Sequence, residues 1–190
     1  MFKNFLLVAV IFLMSVADMA YAHEVSIYDY SVEQMIQSTA EDAKELGFGI
    51  WGKEYYTYKG ERYCKVYFGD SKDNCIYFKP NGNEVQKMWI CVSANGNNST
   101  WAEATKAGTQ AGAILSMTLD HIGLTRDEQN NFWKKYNNDW YDAINQNPPP
   151  KNYSKEYLVG CSATARIICL NVKIDNSGFT LHIYAKSLSN

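Results

Sequence analysis

Apolar residues recur at helical spacing in three segments of the chain, and each segment begins with a capping signal. The first segment starts at Ser31, which Gln34 follows three residues later, and stops at Gly47. The other two start at Thr100 and Thr125, each followed three residues later by a glutamate. Such a pair satisfies two free backbone groups at once and marks a helix start. The pattern therefore predicts three amphipathic helices.

Short runs rich in β-branched and aromatic residues predict strands in the rest of the chain. Four runs follow the first helix, namely EYYTY, RYCKVYFG, NCIYFK and EVQKMWICVSA, with turn signals at Lys59-Gly60 and Asn81-Gly82. After the third helix, a hairpin is predicted from Cys161–Ile174 and Phe179–Ser187, turned at DNSG.

The elements follow one another in the order α-ββββ-αα-ββ. Because strands and helices do not alternate, this order is typical of an α+β fold with an antiparallel sheet. We expect a single domain with a sheet of about six strands and the helices packed on one face. The prolines at 148–150 are interpreted as a connection within this domain.

Residues 1–22 have the features of a signal peptide. Lys3 precedes an apolar run from Phe5 to Met14, and Ala20-Tyr21-Ala22 fits a cleavage site. The run is too short to anchor a chain in a bilayer, so residues 23–190 are expected to be a periplasmic or secreted domain and not an integral membrane protein. The formal net charge of −2 gives no reason to expect nucleic acid as a partner.

The register of the strands can be estimated if every loop has an even length. In the last hairpin, Leu170 then faces Ile183 on an apolar face, and Cys169 faces Tyr184 on the other. In the first four strands, this register turns Cys64, Val66, Phe68, Cys75, Tyr77, Met88, Ile90 and Val92 toward the helices. It turns Ile76, Val85 and Cys91 to the opposite face, together with many aromatic residues.

Aromatic residues are abundant, with 14 Tyr, 5 Trp and 8 Phe. The sheet face away from the helices is therefore predicted to bind a protein, peptide or glycan outside the cytoplasm, without enzymatic activity. Its expected binding residues are Tyr56, Tyr58, Tyr63, Lys65, Tyr67, Phe78, Lys87 and Trp89. The alternative is that another element, such as the third helix or the proline segment, covers these rings.

Five cysteines in an exported chain favour at least one disulfide and leave an odd thiol. The estimated faces make Cys91–Cys169 the first candidate bond and Cys64–Cys75 the second. Cys161 and Cys169 lie about 26 Å apart along one extended strand, so they could meet only if that strand folds back.

Catalytic and metal chemistry have little support in the sequence. Cys169 and His182 are diagonal neighbours in the estimated register and could serve a small Cys/His hydrolase, which is the alternative function. Neither HExxH nor CxxC occurs, so no metal or other cofactor is expected. A structural or assembly component of the envelope, with self-association through the aromatic face, is the third hypothesis.

Overall fold

The computed structural model describes residues 24–94, 100–146, 152–162 and 166–187. Its helices are α1 (Val32–Glu45), α2 (Trp101–His121) and α3 (Arg126–Ile144). Ser31, Thr100 and Thr125 cap them, and a complete capping box is present at each start. These boxes confirm the three predicted helix starts. The predicted signal peptide and the proline segment lie outside the described residues.

The described strands form one antiparallel sheet beside the three helices, so the chain has a mixed α+β fold. The strands are β1 (Glu24–Val25), β2 (Ile50–Tyr58), β3 (Glu61–Phe68), β4 (Ser71–Asn81), β5 (Glu84–Ser93), β6 (Tyr153–Cys161), β7 (Arg166–Asp175) and β8 (Gly178–Ser187). Their order across the sheet is β2-β3-β4-β5-β8-β7-β6, and β1 pairs with β8 beyond the end of β5.

The sheet has eight strands among the described residues, whereas the sequence predicted about six. β1 is only two residues long, too short to produce an alternating pattern. The second addition is β6, which shares only Cys161 with the strand predicted from Cys161 to Ile174 and otherwise lies in residues for which no strand was predicted. β6 ends at Cys161, and Ser162 N–H donates to the Arg166 carbonyl over 2.9 Å where β7 begins.

The core lies between the helices and one face of the sheet, here called the inner face. Residues from all three helices share it with inner-face strand residues, and their side chains form one cluster. For example, Thr118 of α2 contacts the Met88 sulfur at 3.6 Å, and Phe132 of α3 meets Tyr157 edge-on at 5.7 Å between ring centroids. The helices therefore occupy one side of the sheet.

The faces of β4 are the reverse of those predicted from the sequence. Ile76 and Phe78 are buried in the core, while Cys75 and Tyr77 pair with outward-facing residues of β3 and β5. The cause is a register shift at each end of the strand, one between Tyr67 and Phe68 in β3 and one at Lys79/Pro80. Each shift breaks the assumption of even-length loops from which the register of the strands was predicted.

Val85 is a second consequence of the shift at the end of β4. It pairs with Pro80, contacts Tyr28 and is fully buried, although the sequence placed it on the outward face. The extra residue, Gln86, lies between the two registers of β5 and turns Val85 inward.

The last hairpin has the predicted register. Leu170 faces Ile183 on the core side, and Cys169 faces Tyr184 on the other. Its turn residue Gly178 has a φ of +136° and lies against β5, so that a Cβ there would come within 2.0 Å of the Val92 carbonyl oxygen. This position therefore accepts only glycine without a backbone shift.

Replacing Gly178 by alanine is expected to lower the free energy of unfolding by roughly 2–4 kcal/mol, because the new methyl group collides with backbone atoms. Gly108→Ala is the matched control, since no atom lies within 4 Å of its Cβ position in α2. There alanine should raise stability by about 0.5–1 kcal/mol. Urea unfolding measures both, and an unchanged midpoint for Gly178→Ala would contradict the close approach.

Candidate functional site

The face of the sheet opposite the helices, here called the outer face, carries most of the aromatic side chains of the strands. Successive pairings align one residue from each of seven strands in a row across it. The row consists of Glu54, Lys65, Tyr77, Trp89, His182, Asn171 and Glu156. Its centre is aromatic and both of its ends are acidic. The described helices pack on the inner face and do not cover it.

The aromatic rings of the outer face touch one another in a connected series. Tyr56 stacks on Tyr63 at 5.6 Å, and Tyr63 contacts Trp89 at 6.0 Å between ring centroids. Trp89 stacks on His182 at 4.7 Å and 8°, and His182 stacks on Tyr184 at 5.0 Å. Most of these rings lie face against face, and exposure decreases along the series from Tyr56, which is exposed, to Tyr184, which is buried.

Charged side chains border the aromatic series. The Lys65 ammonium lies 4.6 Å from the Tyr67 ring centroid and 5.5 Å from that of Tyr77, which fits cation–π contact. At the margins, Lys79 pairs with Glu61 at 2.6 Å, Lys87 with Glu24 at 2.5 Å and Lys186 with Glu156 at 3.1 Å. The outer face thus has an aromatic centre and a rim of paired charges.

His182 is a half-buried polar residue of this series. Its Nε2 has no hydrogen-bond partner among the described residues and is inaccessible to solvent. Burial, reinforced by the Lys87 charge, lowers the pKa of His182 to about 4, although Glu24 and Glu156 oppose the shift. The imidazole is therefore neutral at pH 7 and stacks on Trp89 as an uncharged ring.

The predicted binding residues differ in position and in exposure. Those on the outer face are Tyr56, Tyr63, Lys65, Tyr67, Lys87 and Trp89, and Tyr58 is on the same side at the end of β2, with 57% of its surface exposed. Of these, Tyr67 is buried, and Tyr63, Lys65, Lys87 and Trp89 are half-buried. Phe78 is the correction, because the reversal of β4 turns it into the core.

Three aromatic residues of the outer face were absent from the predicted binding residues. Tyr77 was assigned to the inner face because the shifts at the ends of β4 leave no trace in the alternation. His182 and Tyr184 were placed on the correct side of their own hairpin, but the sequence does not show that β8 pairs with β5. That long-range pairing is what adds them to the aromatic series.

The structure separates both predicted cysteine pairs. Cys91 and Cys169 are two strands apart and offset along the strands, roughly 15 Å between Cα atoms by strand spacing. Cys64 faces the core opposite Phe78, whereas Cys75 lies on the outer face. Because the chain reverses between β6 and β7, Cys161 is a diagonal neighbour of Cys169. Diagonal neighbours lie about 7–8 Å apart, which is too far for a disulfide. All five cysteines are thiols in this structure.

Cys169 and His182 are diagonal neighbours on β7 and β8, as the sequence predicted. Burial raises the pKa of the Cys169 thiol and lowers that of the His182 imidazole. At pH 7 both groups are therefore neutral, whereas a thiol nucleophile needs a thiolate and a basic imidazole. The pair lacks the electrostatic environment of a catalytic dyad.

Other features of the described residues lie away from the outer face. A groove of about 460 Å³ runs between α2, α3 and the ends of β5 and β8, with Trp101, Trp140 and Phe179 in its lining. Across the described ranges, no cluster of three or more His, Cys, Asp or Glu side chains could hold a metal ion. Within the same ranges, none of the helices has the length and apolar character needed to cross a membrane.

Comparison of the chain with family models, with curated proteins and with solved structures found no match.

Removing the imidazole while keeping a stacked ring tests the environment of His182. Its pKa is lowered from an ordinary value of 6.5 to about 4, so the unfolded chain binds a proton first as the pH falls. Wild-type stability should therefore drop between pH 7 and pH 5 by about 1–2 kcal/mol more than that of His182→Phe, after allowance for partial exposure. Urea unfolding at both pH values measures the difference, and equal losses in the two proteins would contradict a desolvated imidazole.

Proposed function

We propose that this chain is a non-enzymatic binding module, active outside the cytoplasm, that contacts a protein or peptide through the outer face. The supporting observation is the connected aromatic series from Tyr56 to Tyr184, which the described helices leave uncovered. Aromatic side chains bury a large area on binding and lose little conformational entropy, so they dominate the energy of many interfaces.

The arrangement of the rings favours a protein or peptide over a glycan. A sugar that stacks on an aromatic side chain needs a free ring face. Here Trp89 and His182 are parallel within 8° and cover each other's faces, and Tyr56 and Tyr63 are within 20°. Exposed aromatic surface remains at Tyr56 and Tyr58, and it is bordered by charged side chains, which suits a surface that supplies apolar and polar groups together.

The charged rim adds to this interpretation. Lysine and glutamate alternate around the aromatic centre as ion pairs, for example Lys87 with Glu24 and Lys186 with Glu156. A partner with charges of both signs could exchange with these pairs at the margin, which determines orientation more than affinity. A purely anionic partner, such as nucleic acid, would meet as many acidic as basic groups in these pairs.

Assembly with further copies of the chain is the second candidate function, and the edge strand β2 is the observation that favours it. Eight of the nine residues of β2 are exposed. β2 pairs with β3 on one side, and its other side has no neighbouring strand in the described structure. Tyr55, Tyr56 and Tyr58 are prominent among its exposed side chains. An exposed edge of this kind can pair with a strand of another chain. Sedimentation equilibrium tests this candidate, because self-assembly requires an average mass that rises with protein concentration.

Substitution within the aromatic series tests the binding proposal. Peptides are selected on the wild-type chain from a displayed random library, and their affinity is then measured for Tyr56→Ala and Trp89→Ala. Each variant should weaken binding by about tenfold or more, since truncating an aromatic hot spot costs at least about 1.4 kcal/mol.

Tyr141→Ala is the control, because this tyrosine is even more exposed than Tyr56 but lies on α3, on the other side of the sheet. Its affinity should equal that of the wild type. The proposal fails if the control variant loses binding while the outer-face variants keep it. It also fails if Trp89→Ala loses several kcal/mol of stability, as a core residue would. Selective binding in a parallel panel of soluble oligosaccharides would refute the peptide assignment.

Export is the other part of the proposal, and it rests on residues 1–22. If this segment is a signal peptide, the mature protein should begin at His23 or within a residue or two of it. Intact mass of protein recovered from outside the cytoplasm of the expressing cell measures this. A recovered protein that still contains Met1 to Ala22 would contradict the proposed compartment.

A further inference from the structure

Two cysteines of the outer face lie directly opposite each other. Cys75 of β4 is the Cα partner of Cys91 of β5. Tyr67 lies beyond Cys75 in the same cross-strand row, and Thr180 lies beyond Cys91. Because paired residues of an antiparallel sheet share a face, both thiols point to the same side.

The spacing of this pair fits a covalent bond. Directly opposed residues have Cβ atoms about 4.5–5.5 Å apart, and a disulfide closes these to about 3.8 Å with a Cα separation that antiparallel partners already have. The two thiols are within hydrogen-bonding reach of each other. Each of the other three cysteines has a non-cysteine partner across its strand pair: Cys64 opposite Phe78, Cys161 opposite Ile167 and Cys169 opposite Tyr184.

The surroundings also favour reaction of this pair. When one thiol loses its proton, the other can donate a hydrogen bond to the thiolate, and the Lys65 ammonium lies nearby. These effects lower the pKa of Cys75 to about 7, and the loss of a second proton from Cys91 becomes correspondingly harder. The two thiols therefore titrate together, and the pair loses its first proton at a lower pH than an ordinary cysteine does. Cys75 is buried and Cys91 is partly exposed, so an external reagent reaches the pair through Cys91.

We propose that Cys75 and Cys91 are a reactive thiol pair that forms an intramolecular disulfide by exchange with an external disulfide, either a small molecule or a protein. One thiol of the pair releases its proton to solvent, and its thiolate attacks a sulfur of the external disulfide. This forms a mixed disulfide and expels one external thiolate, which takes up a proton. The second thiol then loses its proton, attacks the protein sulfur of the mixed disulfide and expels the remaining external thiol. The cysteine pair is oxidised by two electrons, and the external disulfide is reduced to two thiols.

The bond would join β4 and β5 in the middle of the sheet. It would close a short loop that contains the turn between β4 and β5. The bond therefore restricts the unfolded chain and changes the folded chain little. The pair lies within the outer face, beside Tyr67 and Tyr77, but the inference does not depend on what that face binds.

The full chain, purified in reduced form, is incubated with oxidised glutathione, alkylated and mapped by non-reducing proteolysis and mass spectrometry. The expected product is a peptide pair linked through Cys75 and Cys91, with a rise in Tm of roughly 5–10 °C. Cys64 and Cys169, which are buried, should react with the alkylating agent only after denaturation.

Two variants make the assignment specific. In Cys75→Ser the second step cannot occur, so a glutathione adduct should accumulate on Cys91, which is the accessible member of the pair. Cys161→Ser, which removes an exposed cysteine at the end of β6, should form the Cys75–Cys91 bond as the wild type does. Glutathione on Cys161 alone, or a mapped bond between any other two cysteines, would overturn the proposal.

Discussion

The pairing of β5 with β8 is the interaction on which the rest of the structure depends. Seven residues of β5, Lys87 to Ser93, pair with the segment from Tyr184 back to Gly178. This ladder joins the four-stranded meander of the first half to the three strands of the second half. On the inner face it places Met88 beside Ile183 and so makes one core out of two apolar surfaces. On the outer face it places Trp89 against His182 and so makes one aromatic series out of two short ones.

The second constraint is the register of β4. Irregular pairing at both ends of this strand turns Ile76 and Phe78 inward and leaves Cys75 and Tyr77 on the outer face. The binding proposal and the thiol inference therefore share one structural origin. Pro80 lies at one of these irregularities, where its missing N–H has the least effect on the ladder. Bulges often occur near functional sites because they redirect side chains, and here they redirect the whole face of a strand.

Local signals in the sequence were sufficient for part of this fold. The capping residues Ser31, Thr100 and Thr125 fix helix starts through contacts only three residues long, and the DNSG turn fixes the register of the last hairpin. The rest depends on distant contacts. Alternation within β4 is the same for either orientation, and only its neighbours decide which face of the strand is buried. β6 was missed because residues 153–160 contain a single β-branched residue, so this strand is evident only from its pairing with β7. The outer face was therefore predicted in part, with Phe78 in the wrong place and His182 outside the predicted set.

The distance along the chain between β5 and β8 has a consequence for folding. A chain emerging from the ribosome completes β2 to β5 well before Gly178 has been synthesised. Until then, β5 is an open edge that contains the uncharged run MWICV from Met88 to Val92. Such a run, with free backbone groups and neither charge nor proline, can pair with the same run of another nascent chain. Synthesis therefore passes through a stage in which the central strand of the finished sheet is an aggregation-prone edge, and this stage ends only when β8 has been made and pairs with it.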